Sequence, residues 1–480
     1  MTPLLVRLRV AVLRPSAARL ARVVLDVAVA CVLFWSAHSV YRGSTGVPQV
    51  CDSAYSMAAA ERLATTGSLE LTSAVPADAA ARRAIPGWQA GGDLPYHVIR
   101  HPANSEHLFY GYPLGSVVLS APWVKHYSSR GLSAFDADGH LSYAAEREIQ
   151  VRVASRVAAG LVVLLYVVGR AVLPTWAAAL VAAALAFGSP VWSTLARALW
   201  SHTWAVVWVT AAVGLLFAAR RVTRPTWRSD LLLGAGLGTC LFWAVFCRQH
   251  AVFSGLAVCA YLLLWHRRVL AFTILGGGAW VTTLVAASLS VFGTPTPPSV
   301  YTAGVIDGRD VADRFFWLMC SPSRGLLVYC PFLLVVGAML VSFRRTLPDR
   351  PLLVPAVLAV SAHTALFSCY NGWHAGWSYG PRYFCDVLPW FALTTIIAVR
   401  GLLADTDRGR KTLAGSAFVA AFVWGVWVHG RGANSIAAWM WNDRATAVGD
   451  ESAVKEWRHP QFLAGVTFEV RPDGSVHDLR

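Results

Sequence analysis

A few residues with reactive chemistry stand out from a chain otherwise dominated by apolar side chains. Asp52 opens the segment DSAYSMAAAERLATTG, in which residues 53–65 favour a helix closed by Gly67. An aspartate there reads as the N-cap of that helix, or as a carboxylate held at a membrane surface beside a substrate cavity. The two readings are compatible, because capping would also fix the carboxylate in place. Arg324 in SPSRG and Arg382 in YGPRY each sit beside the end of an apolar run. A guanidinium there holds a phosphate bidentately, anchors the chain at an interface, or pairs with Asp386. The stretch NGWHAGWSYGPRYFCD (371–386) gathers Trp373, His374, Trp377, Tyr379, Arg382 and Tyr383 between Gly372, Gly376, Gly380 and Pro381. Glycine and proline at that density predict a shaped loop, not a helix. A further polar group, Arg100, His101, Glu106 and His107, reads as polar side chains facing water. As a metal set it matches no zinc spacing.

The elements that must position these residues are membrane spans. Of the 480 residues 56% are hydrophobic and 14% charged, against about 25% charged in a water-soluble domain. Eleven spans are predicted, at 21–40, 154–173, 176–194, 203–219, 230–247, 251–266, 268–292, 325–342, 352–369, 387–403 and 412–430. Each approaches the roughly 20 apolar residues that cross a bilayer. The fold class is therefore all-α and polytopic, with a basic N-terminus (1–20), a membrane domain (21–430) and a C-terminal segment (431–480).

The net charge of +15 sits largely in short arginine-rich connectors, where it sets topology and does not imply nucleic acid. RRVTRPTWR (220–228), HRR (266–268), FRRTLPDR (343–350) and RGRK (408–411) all fall on one side. That side is predicted to be cytoplasmic, together with the basic N-terminus, which lacks a small-residue cleavage site. Loop 41–153, loop 293–324, the stretch 371–386 and the C-terminal segment then face outward from a cell membrane. Within loop 41–153, the apolar stretch after His107 is too short to cross and is predicted as an interfacial helix. The nine cysteines show no metal spacing, and a disulfide between Cys369 and Cys385 stays open.

In order and character, residues 21–270 resemble the C-type (GT-C) membrane glycosyltransferases, in particular the branch with protein O-mannosyltransferases and aminoarabinose transferases. The segments that carry the resemblance are DSAYSMAAAERLATTG, YGYPLGSVVLSAPWVKHYSSRG, IQVRVASRVAAGLVVLLYVVGR, LAFGSPVWSTLARALWSH and CRQHAVFSGLAVCAYLLL. SPSRGLLVYCPF (321–332) and GWSYGPRYFCDVLP (376–389) look like motifs of bacterial members. The resemblance implies a polyprenyl-phosphate sugar donor, an envelope glycan, lipid or protein acceptor, and transfer on the outer face. It places the family's acidic base at Asp52 and its phosphate-side basic residue at Arg248. The chain departs from the family in having Ser201 and His202 where a second acidic residue is frequent, and YPLG (112–115) without the lysine of KPPL. Dependence on a divalent metal, Mg or Mn, stays open.

In that frame Asp52 takes the acceptor's proton, and Arg248, Arg324 and Arg382 hold the departing phosphate. Trp373, His374, Trp377, Tyr379 and Tyr383 form either an aromatic belt or a wall for sugar stacking. Arg100, His101, His107 and His202 complete the expected substrate-binding set. Two competing classes remain. A transporter or flippase of a lipid-linked precursor would use Asp26 and His363 within the bilayer and the broken-looking span LGGGAW (275–280). A glycan polymerase or ligase would share the chemistry with a diphosphate-linked donor.

Overall fold

A computed structural model describes residues 17–76, 94–95, 97–298, 306–446, 451–471 and 473–479. The basic stretch 1–16, part of the first loop (77–93) and part of the 293–324 loop (299–305) lie outside the described residues.

Among the described residues, eight helices are long and apolar enough to cross a membrane: Arg19–Arg42, Tyr143–Arg170, Ser201–Arg221, Trp227–Cys247, Arg267–Phe292, Arg350–Ser368, Arg382–Ala404 and Arg408–Asn434. Three predicted spans, 176–194, 251–266 and 325–342, correspond instead to the shorter apolar helices Thr175–Phe187, Gln249–Trp265 and Phe332–Ser342. Prolines account for two of these. Pro190 precedes a wide turn at Val191–Leu195, and Pro331 separates the short helix Leu326–Tyr329 from Phe332–Ser342. Proline lacks the N–H that would continue the ladder.

Two of the arginine connectors, 220–228 and 343–350, meet at one end of the bundle. Arg220 lies 3.8 Å from Asp349, which also accepts from Arg400. Nearby in kind, Asp26 accepts from Arg170 through both oxygens, at 2.7 and 2.9 Å, and also from Tyr166 and Thr175. The opposite end carries the loops.

LGGGAW does not break a span. It lies inside the continuous helix Arg267–Phe292, and its glycines Gly276 and Gly277 pack against Trp227–Cys247. A Cβ on Gly238 would collide with the backbone of Thr273 and Gly277, and one on Gly276 would press on Ala235. Small residues let two membrane helices approach backbone to backbone.

The first loop folds onto the bundle. Its helix Ser56–Thr66 packs beside Gly115–Ser128, the 14-residue helix predicted to be interfacial. A two-stranded antiparallel ribbon, Val98–Arg100 with Leu108–Tyr110, covers them in the register Ile99 opposite Phe109. The C-terminal segment forms the helices Ile436–Thr446 and Ser452–Lys455 and a hairpin, Phe468–Val470 with Val476–Asp478. Cys369 and Cys385 are both free thiols, so no disulfide joins them.

Candidate active site

At the loop end of the bundle lies a cavity of about 470 Å³, lined in part by Asp52, Tyr112, Arg248, His250, Tyr370, His374, Trp377, Arg382 and Tyr383. It joins the first loop, two helix ends and the 371–386 stretch.

Asp52 is held through its backbone. The Asp52 carbonyl accepts from the Tyr110 hydroxyl at 2.9 Å, and the neighbouring Cys51 carbonyl accepts from His97 Nε2 at 2.8 Å. Burial holds the His97 imidazole down at about 4, opposed by its bond to Cys51 and by the charge of Asp52. Next in sequence, Ser53 exchanges two hydrogen bonds with Gln150, at 2.7 and 2.8 Å.

The N-cap reading of Asp52 is overturned by this geometry. The helix begins at Ser56, after Tyr55 turns the chain through a left-handed conformation (φ 69°). Its first free N–H groups, from Met57 and Ala58, donate to the Glu146 carboxylate at 3.0 and 3.2 Å. A carboxylate from another helix thus does the capping. The Asp52 side chain points elsewhere: it is about one-third exposed, and its Oδ2 lies 3.3 Å from Arg382 Nη2.

Two guanidiniums reach the cavity from helix ends. Arg382 starts the turn that leads into Leu388–Ala404, with its guanidinium 4.5 Å above the Trp200 ring. Arg248 directly follows Trp227–Cys247. Its Nε lies 3.3 Å from Asp386 Oδ2 and its Nη1 3.3 Å from Ser201 Oγ. Asp386 is buried and also accepts from His202 Nδ1 at 2.6 Å. Asp386 is therefore the partner of Arg248 and His202, and not of Arg324 or Arg382. A buried charge needs such pairing.

Arg324 lies behind the cavity wall and not on it. It is buried and donates to the carbonyls of His374 (2.9 Å), Ser323 (3.1 Å) and Gly376 (3.3 Å), to Asn442 Oδ1 (2.8 Å) and to Gln461 Oε1. Burial draws its pKa down to about 10, so it stays charged near neutrality.

The predicted loop holds over 371–381, residues 382–386 wind instead into the short helix Arg382–Val387, and the rings divide by role. Trp373 donates its indole N–H to Glu451 at 2.9 Å, and the Tyr379 hydroxyl donates to the Val428 carbonyl at 2.7 Å; both side chains are buried structural ties. Trp377 is 36% exposed, lines the cavity and meets Trp439 edge to face. Tyr383 stacks on Phe367 with ring centroids 4.0 Å apart. Burial, and then the nearby Arg324, holds His374 at about 4.

The structure does not bring Arg100, His101 or His107 to the cavity. Arg100 donates to the Ser105 carbonyl, His101 bonds the Val291 carbonyl, and His107 pairs with Glu70 at 2.7 Å. His202 sits behind Arg248 through Asp386. Residues that sequence reasoning missed include Tyr112, His250 and Tyr370 on the wall and Tyr110, His97 and Gln461 behind it. Asp386 was visible at the end of the quoted polar stretch, but nothing in its spacing named Arg248 as its partner.

For a divalent ion, the lining offers one carboxylate among the described residues, Asp52, already held by Arg382. Hard cations favour several oxygen ligands, so this donor set does not fit a protein-held metal. The exposed Asp136 and Asp138 and the half-buried His140 close a turn away from the cavity.

The fold and site define a multi-pass helical membrane protein with a cavity at one end that two arginines and several aromatic rings line. No protein-family model matches the chain, and no curated protein matches it. Among solved structures, it is similar to a crystal structure of ArnT from Cupriavidus metallidurans bound to undecaprenyl phosphate. That likeness has 16% identity and a TM-score of 0.45, over 92% of this chain and 75% of that one.

Proposed function

We propose that this cavity transfers a sugar from a polyprenyl-phosphate donor to a hydroxyl of an envelope acceptor on the outer face of the membrane. The observation that carries the reading is the convergence of one carboxylate, Asp52, and two guanidiniums, Arg248 and Arg382, on a single cavity at the ends of membrane-length helices. A lipid-linked anion needs its charged head met at that level while its chain stays in the bilayer.

The acceptor hydroxyl gives its proton to the Asp52 carboxylate as its oxygen bonds to the sugar's anomeric carbon. The bond from that carbon to the phosphate oxygen breaks, and polyprenyl phosphate leaves with the electron pair. Arg248 and Arg382 meet the charge that grows on the phosphate. The donor phosphate competes with Asp52 for Arg382, which frees the carboxylate to face the acceptor. Trp377 offers a ring face beside the transferred sugar.

The transporter reading has less support. Asp26 is fully engaged by Arg170, Tyr166 and Thr175, and His363 bonds the Tyr383 carbonyl at 2.9 Å. Both intramembrane groups act as ties between segments. The deciding experiment compares envelope glycans and glycolipids in cells with and without the gene, then assays the purified protein with polyprenyl-phosphate sugars. Loss of one sugar type in the cells, restored by wild type and not by Asp52→Asn, supports transfer. An unchanged envelope and no transfer in vitro would sink it.

A further inference from the structure

The C-terminal segment follows the last membrane-length helix, Arg408–Asn434, and contributes no residue to the cavity lining among the described residues. Yet one of its side chains, Gln461, is completely buried at the back of the cavity wall. Its Nε2 donates to the carbonyls of Ser378 (2.9 Å) and Ala438 (3.0 Å). Its Oε1 accepts from Arg324 Nη1 and from the Gly380 N–H (3.2 Å). Its own backbone N–H donates to Ser323 Oγ at 3.1 Å. A primary amide has two donors and two lone pairs, and here all four are used.

Those bonds converge on a stretch of backbone that would not keep its shape alone. Ala375, Gly376 and Gly380 have φ of 65°, 56° and 58°. For alanine that region is unfavourable and persists only where the surroundings over-determine it. Arg324 supplies the constraint, binding the carbonyls on either side of Ala375, those of His374 and Gly376. Gln461 in turn fixes the Arg324 guanidinium. Nearby, Glu451 accepts from the Trp373 indole and Val454 from Ser321 Oγ (2.7 Å). Residues 374–377 are the ones this framework holds against the cavity.

We propose that Gln461 is a positioning residue for the substrate cavity. Acting through Arg324, it sets the shape of the wall at His374–Trp377, so the C-terminal segment is a working part of the site. The ligand half of this statement rests on the phosphate-lipid reading above; the wall half does not.

The test uses the full-length protein in lipid nanodiscs, as wild type, Gln461→Leu and Gln461→Glu. Amide hydrogen exchange over 372–380 reads the wall, and undecaprenyl phosphate is the binding probe. In Gln461→Leu, exchange there should accelerate about tenfold while the membrane helices exchange as in wild type. Undecaprenyl phosphate should bind about three- to tenfold more weakly, because the lost pre-organisation must be recovered on binding. Gln461→Glu should fall between the two, since its carboxylate still accepts from Arg324 but cannot donate to Ser378 or Ala438. Wild-type exchange over 372–380 in folded Gln461→Leu overturns the proposal. So does failure of both variants to fold, which would make Gln461 a determinant of the whole fold. If wild type itself fails to bind the probe while the wall loosens as expected, the phosphate-lipid reading fails and the positioning role stands.

Discussion

The Asp52 carboxylate and the Arg382 guanidinium lie 3.3 Å apart although 330 residues separate them in sequence, and they form the one direct ion pair between lining side chains of the cavity among the described residues. Each is fixed from behind by unrelated parts of the chain: Asp52 by Tyr110 and His97 through the backbone, Arg382 by the Trp200 ring. The pair is thus a meeting of two separately braced groups, and each brace can be tested without removing the other.

Asp52→Asn keeps the side chain's size and leaves the helix cap intact, because Glu146 and not Asp52 receives the free N–H groups. Melting temperature should stay close to that of wild type. Transfer should drop by about 10²–10⁴-fold, the usual contribution of a general base. Binding of undecaprenyl phosphate should survive. Full transfer activity in the purified variant would remove Asp52 from the chemistry.

Arg248→Ala and Arg382→Ala should each weaken binding of undecaprenyl phosphate, with lysine restoring only part, because a fork becomes a point charge. Asp386→Asn should act through Arg248: the buried guanidinium loses its counter-charge, and KM for donor should rise more than kcat falls. Truncating one partner of a buried pair costs about 3–5 kcal/mol when the other charge is left alone, so a lowered melting temperature should accompany it. Equal binding by all three variants would place the phosphate elsewhere.

Acid should weaken the fold through two imidazoles. His97 and His374 are each held at about 4 in the folded chain against an ordinary value of 6.5. Between those values the unfolded chain carries more protons, so stability is complete above pH 6.5 and declines as pH falls toward 4. Melting temperatures recorded from pH 7.5 to 4.5 should show that decline, and His97→Gln with His374→Gln should make it shallower. A wild-type profile rising toward acid would contradict the assignment of both rings as neutral.

Orientation is testable with an impermeant thiol reagent once the nine native cysteines are removed. Cysteines placed at the exposed positions Arg224 and Thr346, on the arginine connectors, should be shielded in intact cells. Those at Ser105 and Ser475, exposed at the other end, should react. The reverse pattern would turn the cavity toward the cytoplasm.

The sequence made the helices legible because length and apolar character are local properties, and arginine connectors mark their ends. The loop at 371–386 was legible for the same reason: glycine and proline act where they stand. Partnerships were not. Asp52 looked like a cap because aspartate before a helix usually is one, and only the turn at Tyr55 and the reach of Glu146 from another helix show otherwise. Arg324 and Arg382 look alike in sequence, each beside a span end, yet one braces a wall and the other faces the cavity. Gln461 carried no signal, since a lone glutamine in a polar tail has no local pattern.

The glycine contact between Trp227–Cys247 and Arg267–Phe292 bears on how Arg248 comes to its place. Backbone rests on backbone there, with Gly238 against Thr273 and Gly277 and Gly276 against Ala235. Side chains that touch across a helix pair can repack around a change, but main chain has no rotamers to adjust. The two helices therefore act as a rigid post whose height is fixed by glycine spacing, and Arg248 stands on its end. A single added methyl at position 238, far along the helix from the cavity, would lift or tilt that post and carry the arginine with it.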